Sequence, residues 1–169
     1  TAALPFAAQN YTTAKIQRKS DTFKGEITDD SIRNIITAVA VEEQGDSLVF
    51  TAETRDTIDE TNRIGDWMRL LVSTHDSNDF EYCFNLRADG KGKTVAARKQ
   101  NGKWQRIGLI DYKTEGNRIA LTVPRAMLGD ATKINFKWVD SVCHCLKADD
   151  YYLHGSCAPL GALYYSITI

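Results

Sequence analysis

Apolar and polar residues alternate along most of this chain, in short segments with a turn signal between each pair. "NIITAVAVE" (34–42) and "SLVFTAETR" (47–55) are separated by Gln44-Gly45-Asp46. "FEYCFNLRA" (80–88) and "KTVAARKQ" (93–100) are separated by Asp89-Gly90-Lys91-Gly92. Asn101-Gly102 then leads into "KWQRIGL", and Gly116-Asn117 joins "IDYKTE" to "RIALTVP". Alternation with a period of two marks half-buried strands, and Asn-Gly or Gly-Asn between such segments marks a tight hairpin, because its residues take positive φ. The expectation is an all-β fold: an antiparallel β-sandwich of roughly nine to eleven strands with little helix. The one helical turn expected lies in "PRAMLG" (124–129), opened by Pro and closed by Gly. "AKIQRKS" near the start reads as a strand, and so does the stretch from Leu163 to Ile169; "DDYYLHGSCAPLG" before it reads as a loop.

Alternation also assigns faces. The expected core-facing sets are Met68, Leu70 and Val72; Phe80, Tyr82, Phe84 and Leu86; Ile119, Leu121 and Val123; and Ile134, Phe136 and Trp138. The opposite faces then carry Trp67, Arg69 and Leu71, then Glu81, Cys83, Asn85 and Arg87, with Glu53 and Arg55 on an earlier strand and Asn135 and Lys137 on a later one. A tryptophan beside arginines, acids and amides suits a sugar: the ring stacks on a pyranose C–H face while planar polar groups bond adjacent hydroxyls. Trp104, after the Asn101-Gly102 turn, and Tyr151, in the terminal loop, are further candidates for contact. The alternative is a solvated sheet face with weak cross-strand ion pairs.

Composition narrows the function classes. The 169 residues are expected to form one domain (1–169), with 1–30 a strand and loop packed on the remainder. Lys and Arg number 21 against 22 Asp and Glu, a net charge of -1, which argues against a nucleic-acid partner. No apolar run has membrane-spanning length. The start at Thr1, without Met, suggests a processed protein or a module of a longer one. Of four cysteines, Cys143, Cys145 and Cys157 lie close in sequence. A disulfide from Cys157 to Cys143 or Cys145, free thiols, and a zinc site adding His154 all stand as readings, the last weakened by the single-residue gap of the first pair.

The order of several motifs resembles a known group. These are "GDWMRLLVSTHDS", "FEYCFNLRADGKG", "NRIALTVPRAMLGD", "INFKWVDS" and the ending "DDYYLHGSCAPLGALYYSITI". Over residues 30–169 the chain resembles the family 9-like carbohydrate-binding modules of the DOMON-like β-sandwich superfamily, which are often appended to bacterial glycoside hydrolases. The resemblance implies a two-sheet sandwich, a polysaccharide or oligosaccharide ligand, a catalytic domain as neighbour in the parent chain, and an extracellular, periplasmic or cell-surface location. It also implies that structural calcium is common, with no cofactor required. It does not fix the binding residues.

Other chemistries find less support. Oxygen ligands for calcium gather in Asp140, Asp149 and Asp150, and in "RDTIDETNRIGDW" (55–67), against the alternative that such residues only shape turns. Haem ligation by Met68 opposite His75 or His154 competes with simple packing of a core methionine. No nucleophile elbow, phosphate loop or dinucleotide fingerprint occurs; His75, His144 and His154 each have an acid nearby in sequence and could each act as a general base, against the alternative of polar loop surface, and no catalytic residue is expected. The functional expectation is a non-catalytic glycan-binding module. Its alternatives are a structural accessory domain of a glycoside hydrolase and an unrecognised glycan-active enzyme.

Overall fold

The computed structural model describes residues 4–7, 33–61, 63–77, 79–141, 155–159 and 164–169. The segment read as "AKIQRKS", Cys143, His144, Cys145, Asp149, Asp150, Tyr151 and His154 lie outside the described residues. Eleven strands are described: β1 (Leu4–Ala7), β2 (Ile36–Gln44), β3 (Ser47–Thr54), β4 (Asp66–Ser73), β5 (Tyr82–Ala88), β6 (Lys93–Gln100), β7 (Lys103–Glu115), β8 (Arg118–Pro124), β9 (Lys133–Ser141), β10 (Gly155–Ala158) and β11 (Tyr165–Thr168). The all-β antiparallel class therefore stands. Among the described residues no helix is long and apolar enough to cross a membrane.

The strands form one continuous sheet in the order β1-β2-β3-β8-β7-β6-β5-β4-β9-β10, with β11 also on β9. Lys133–Phe136 of β9 pair with β11, and Trp138–Ser141 pair with β10. The sheet curls until β10 comes up beside β2, where the Ile36 N–H donates to the Ser156 hydroxyl at 2.9 Å. Hydrogen bonding is thus unbroken from β1 to β10, where the resemblance implied two sheets.

The turns follow their residues. Asn101 and Gly102 both have positive φ (51° and 75°), as a tight β6–β7 hairpin requires. "KWQRIGL" and "IDYKTE" run together as the single 13-residue β7. Pro124 precedes a 3-10 turn, Arg125–Leu128, which ends at Gly129 (φ 64°). One expectation fails here: Gly155–Ala158, read as loop, is strand β10.

The curled sheet encloses the main core. Met68, Leu70, Val72, Tyr82, Phe84, Ile119, Leu121, Val123, Ile134, Phe136 and Trp138 all lie in it, as alternation predicts. Phe50 of β3 meets Phe136 of β9 edge-on at 5.5 Å, so strands far apart in the sheet order pack across the interior. Each such buried side chain contributes about 1.5–3 kcal/mol relative to exposure. A second apolar cluster joins Leu71, Phe80, Cys83, Val139, Cys157 and Tyr164. Phe80 and Leu86 pack with this second cluster rather than with the main core where alternation placed them. Phe80 precedes β5, and Leu86 lies within the irregular stretch between Phe84 and Ala88. Asn135 and Lys137, expected outside, are fully buried. Lys137 Nζ donates to the Pro159 carbonyl at 2.6 Å, and Asn135 Nδ2 donates to Asp76 Oδ1 at 3.2 Å.

Candidate functional site

The sheet is least regular where β4 meets β5. These strands pair only over Leu70–Val72 and Tyr82–Phe84. Two adjacent irregularities end the ladder. On β4, Asp66 faces Ser141 and Arg69 faces Val139, so three steps of β4 oppose two of β9. On β5, Phe84 faces Ala96 and Ala88 faces Thr94, so four steps oppose two of β6. Such insertions bend a strand and re-aim its side chains. Each contains a residue in left-handed conformation, Met68 (φ 41°) and Asn85 (φ 69°). Asn tolerates that region; Met rarely visits it.

Asn85 bridges the gap. Its Nδ2 donates to the carbonyls of Trp67 (3.0 Å) and Met68 (2.8 Å), and its Oδ1 accepts from the Thr94 hydroxyl at 2.8 Å. The amide thus replaces ladder bonds that the two bulges remove, and Asn85 is only 2% exposed. Met68 N–H is held from the other side by Asp140 Oδ2 at 3.0 Å.

Beyond this bridge the two strands part, and an open cleft of about 420 Å³ lies between them. Arg63, Ile64, Gly65, Trp67 and Arg69 line one wall; Asn85, Leu86, Arg87 and Ala88 line the other. Four of the candidates from alternation, Trp67, Arg69, Asn85 and Arg87, are therefore brought to one place.

Their presentation differs from the expectation for two of them. Trp67 is not on the wet face: it is 3% exposed and belongs to the main core, edge-on to Tyr112 at 6.4 Å. The extra residue at the β4 bulge turns Trp67 and Met68 inward together, which strict alternation forbids. Trp67 Nε1 donates to the Asp59 carbonyl at 2.8 Å, and Arg63 stands over its ring at 5.9 Å. No open ring face is left there for a sugar. Asn85 is likewise a buried bridge, not a displayed amide.

The arginines are presented unequally. Arg69 Nη1 donates to buried Asp66 at 2.5 Å and Nη2 to the Leu86 carbonyl at 3.2 Å, so Arg69 ties the two walls together. Arg63 and Arg87 are exposed, and neither has a carboxylate partner among the described residues. Arg63 was missed as a candidate because it precedes β4 in a segment read for calcium ligands. Gly65 (φ 72°), two residues on, is the local signal of a turn that places Arg63 over the wall.

The remaining candidates lie elsewhere. Glu53 and Arg55 sit on or just after β3, separated from β5 in the sheet order by β8, β7 and β6, and line no part of the cleft. Glu53 faces Arg118 at 3.9 Å, and Arg55 faces Asp56 at 3.0 Å. Trp104, on β7, is half-buried against the second cluster, with Lys99 Nζ 5.2 Å from its ring centre. Met68, weighed as a haem ligand, is sealed in the main core. His75 pairs with Glu81 at 2.8 Å, on a side chain 72% exposed.

Asp140 accepts from Arg33 Nε at 2.8 Å, from Asn34 Nδ2 at 3.1 Å and from the Met68 N–H, so both carboxylate oxygens are held by protein donors. Burial pushes its carboxyl above the usual 3.8, against the opposing pull of Arg33, Asn34 and the Met68 N–H. It serves as a strut between Arg33-Asn34 and the β4 bulge. Among the described residues no three acids, histidines or cysteines gather as a metal would need. Cys157 is a buried thiol that packs in the second cluster opposite Val139; Cys143 and Cys145, the partners expected for a staple, lie outside the described residues.

No family model matches the chain, and neither a curated protein nor a solved structure matches it.

Proposed function

We propose that this domain is a non-catalytic glycan-binding module of an exported protein, and that its ligand enters the cleft between β4 and β5. The cleft itself carries this reading: exposed guanidiniums of Arg63 and Arg87 flank exposed Ile64, on walls fixed by Asn85 and Arg69. Guanidinium groups bond adjacent oxygens in plane, and Ile64 offers an aliphatic surface to sugar C–H groups. Among the described residues the side chains of the lining are guanidinium, amide, aliphatic and indole, which hold a ligand rather than exchange protons with it. A shallow, wet site of this kind implies millimolar to micromolar dissociation constants. The resemblance to family 9-like modules adds support through motif order.

The test is a screen of plant, algal and host polysaccharides against wild type and Arg87→Ala, with and without chelator. Retention of one glycan by wild type and its loss in Arg87→Ala support the reading; equal retention by both puts the site elsewhere. A chelator effect would add a bound cation to the account.

A second reading, a structural accessory domain packed on a catalytic neighbour, rests on Ile107 and Leu109 of β7, which are 39% and 48% exposed. Gain of stability on adding the neighbouring domain, with no glycan retained, favours that reading.

A further inference from the structure

Resting on the glycan reading of the β4–β5 cleft, we infer that the ligand is an anionic saccharide, one bearing carboxylate or sulfate groups. The inference comes from the hydrogen-bonding character of the cleft. A neutral sugar presents hydroxyls, each both donor and acceptor, and a site for it supplies acceptors as well as donors. Among the described residues this cleft supplies free side-chain donors alone. Guanidinium has five N–H donors and no acceptor. The one side-chain carbonyl in the lining, Oδ1 of Asn85, is taken by Thr94. The amide nitrogen of Asn85 is taken by Trp67 and Met68, and the Trp67 indole N–H by Asp59. No carboxylate lines the cleft among the described residues. Side chains that only donate match an acceptor-only ligand group, and planar guanidinium meets carboxylate or sulfate in bidentate fashion.

Charge points the same way. The chain as a whole is balanced, at a net charge of -1. Arg55, Arg118 and Arg125, elsewhere in the fold, have an acid at 3.0, 3.9 and 3.2 Å respectively. Arg69 in the cleft is offset by Asp66. No carboxylate among the described residues offsets Arg63 or Arg87, so two positive charges stand at the mouth of the cleft beside the low-dielectric wall of Ile64 and Leu86.

The test uses matched pairs that differ only in charge: oligogalacturonate with its fully methyl-esterified form, and sulfated dextran with plain dextran. Binding is measured by calorimetry for wild type, Arg87→Gln and the Arg63→Gln/Arg87→Gln double variant. A single-stranded oligonucleotide serves as a third probe, and urea midpoints check that the variants fold. The expected result is that one charged member binds about tenfold or more tighter than its neutral partner, and that Arg87→Gln removes about tenfold of that affinity. The double variant removes more, and added salt weakens the charged member only. Which pair responds tells carboxylate from sulfate. Equal binding of charged and neutral members keeps the glycan reading and overturns the anionic inference. So does charged-ligand binding that both variants retain. If no saccharide binds, or the oligonucleotide binds most tightly, the glycan reading itself falls.

Discussion

Replacing Asn85 by Ala removes the bridge on which the cleft depends. Three hydrogen bonds go at once, to the Trp67 carbonyl (3.0 Å), the Met68 carbonyl (2.8 Å) and the Thr94 hydroxyl (2.8 Å). The site is only 2% exposed, so water does not replace them without local opening. A typical hydrogen bond contributes about 1 kcal/mol net, and a buried partner left unpaired costs about 1–3 kcal/mol. Alanine at φ 69° adds about 1 kcal/mol of backbone strain that Asn tolerates better. The expected loss is about 3–5 kcal/mol, a large part of the roughly 5–15 kcal/mol that holds a domain folded. Urea denaturation followed by tryptophan fluorescence measures it. Asn85→Gly separates the terms: it loses the same bonds but not the strain, so it should recover about 1 kcal/mol of the alanine loss. An Asn85→Ala midpoint shift worth less than about 1 kcal/mol would show that the three bonds carry no weight. An Asn85→Gly variant less stable than Asn85→Ala would contradict the strain assigned to alanine there.

Three further outcomes are expected. Arg69→Met should destabilise by about 3–5 kcal/mol, because buried Asp66 loses its guanidinium, whereas exposed Arg87→Gln should leave the urea midpoint unchanged; equal effects would contradict the different roles given to these two arginines. Burial pushes the Cys83 thiol up to about 12, so native protein should resist iodoacetamide at this residue at about pH 8 and react once denatured; rapid labelling of Cys83 in the native state would contradict its sealed position. The N–H groups of Lys91 and Lys93 hold the Asp89 carboxyl below its usual 3.8, so its contribution to stability is present above 3.8 and is lost as pH falls through the lowered value. Asp89→Ala should therefore show less acid destabilisation than wild type, and an acid dependence identical to wild type would count against that sign.

The hairpin order was legible because its signals are local. Asn101-Gly102 and Gly116-Asn117 state the turn chemistry directly, and the Ile119–Val123 and Ile134–Trp138 alternations survive intact as core faces. The cleft was half legible. Arg69 and Arg87 follow from alternation along β4 and β5, but the burial of Trp67 and Asn85 does not. One inserted residue at the β4 bulge inverts the parity upstream of it, and a methionine at φ 41° announces nothing in the sequence. Asn85 did carry a signal, since Asn is the residue that tolerates positive φ inside a strand. The separation of Glu53 and Arg55 from the cleft is set by the position of β3 in the sheet, which alternation along one strand does not encode. Strand β10 was hidden because its four residues include a small Gly, Ser and Ala, with no apolar alternation to mark them.

The proposed ligand occupies the gap where β4 and β5 part. The most direct test of that placement is amide chemical-shift mapping of the labelled protein during titration with the tightest-binding saccharide of the screen. Ile64, Gly65, Arg87 and Ala88 are expected to shift first and furthest, with Asn85 following. Shifts confined to the surroundings of Trp104, or to Glu53 and Arg55, with those amides unmoved, would contradict that placement.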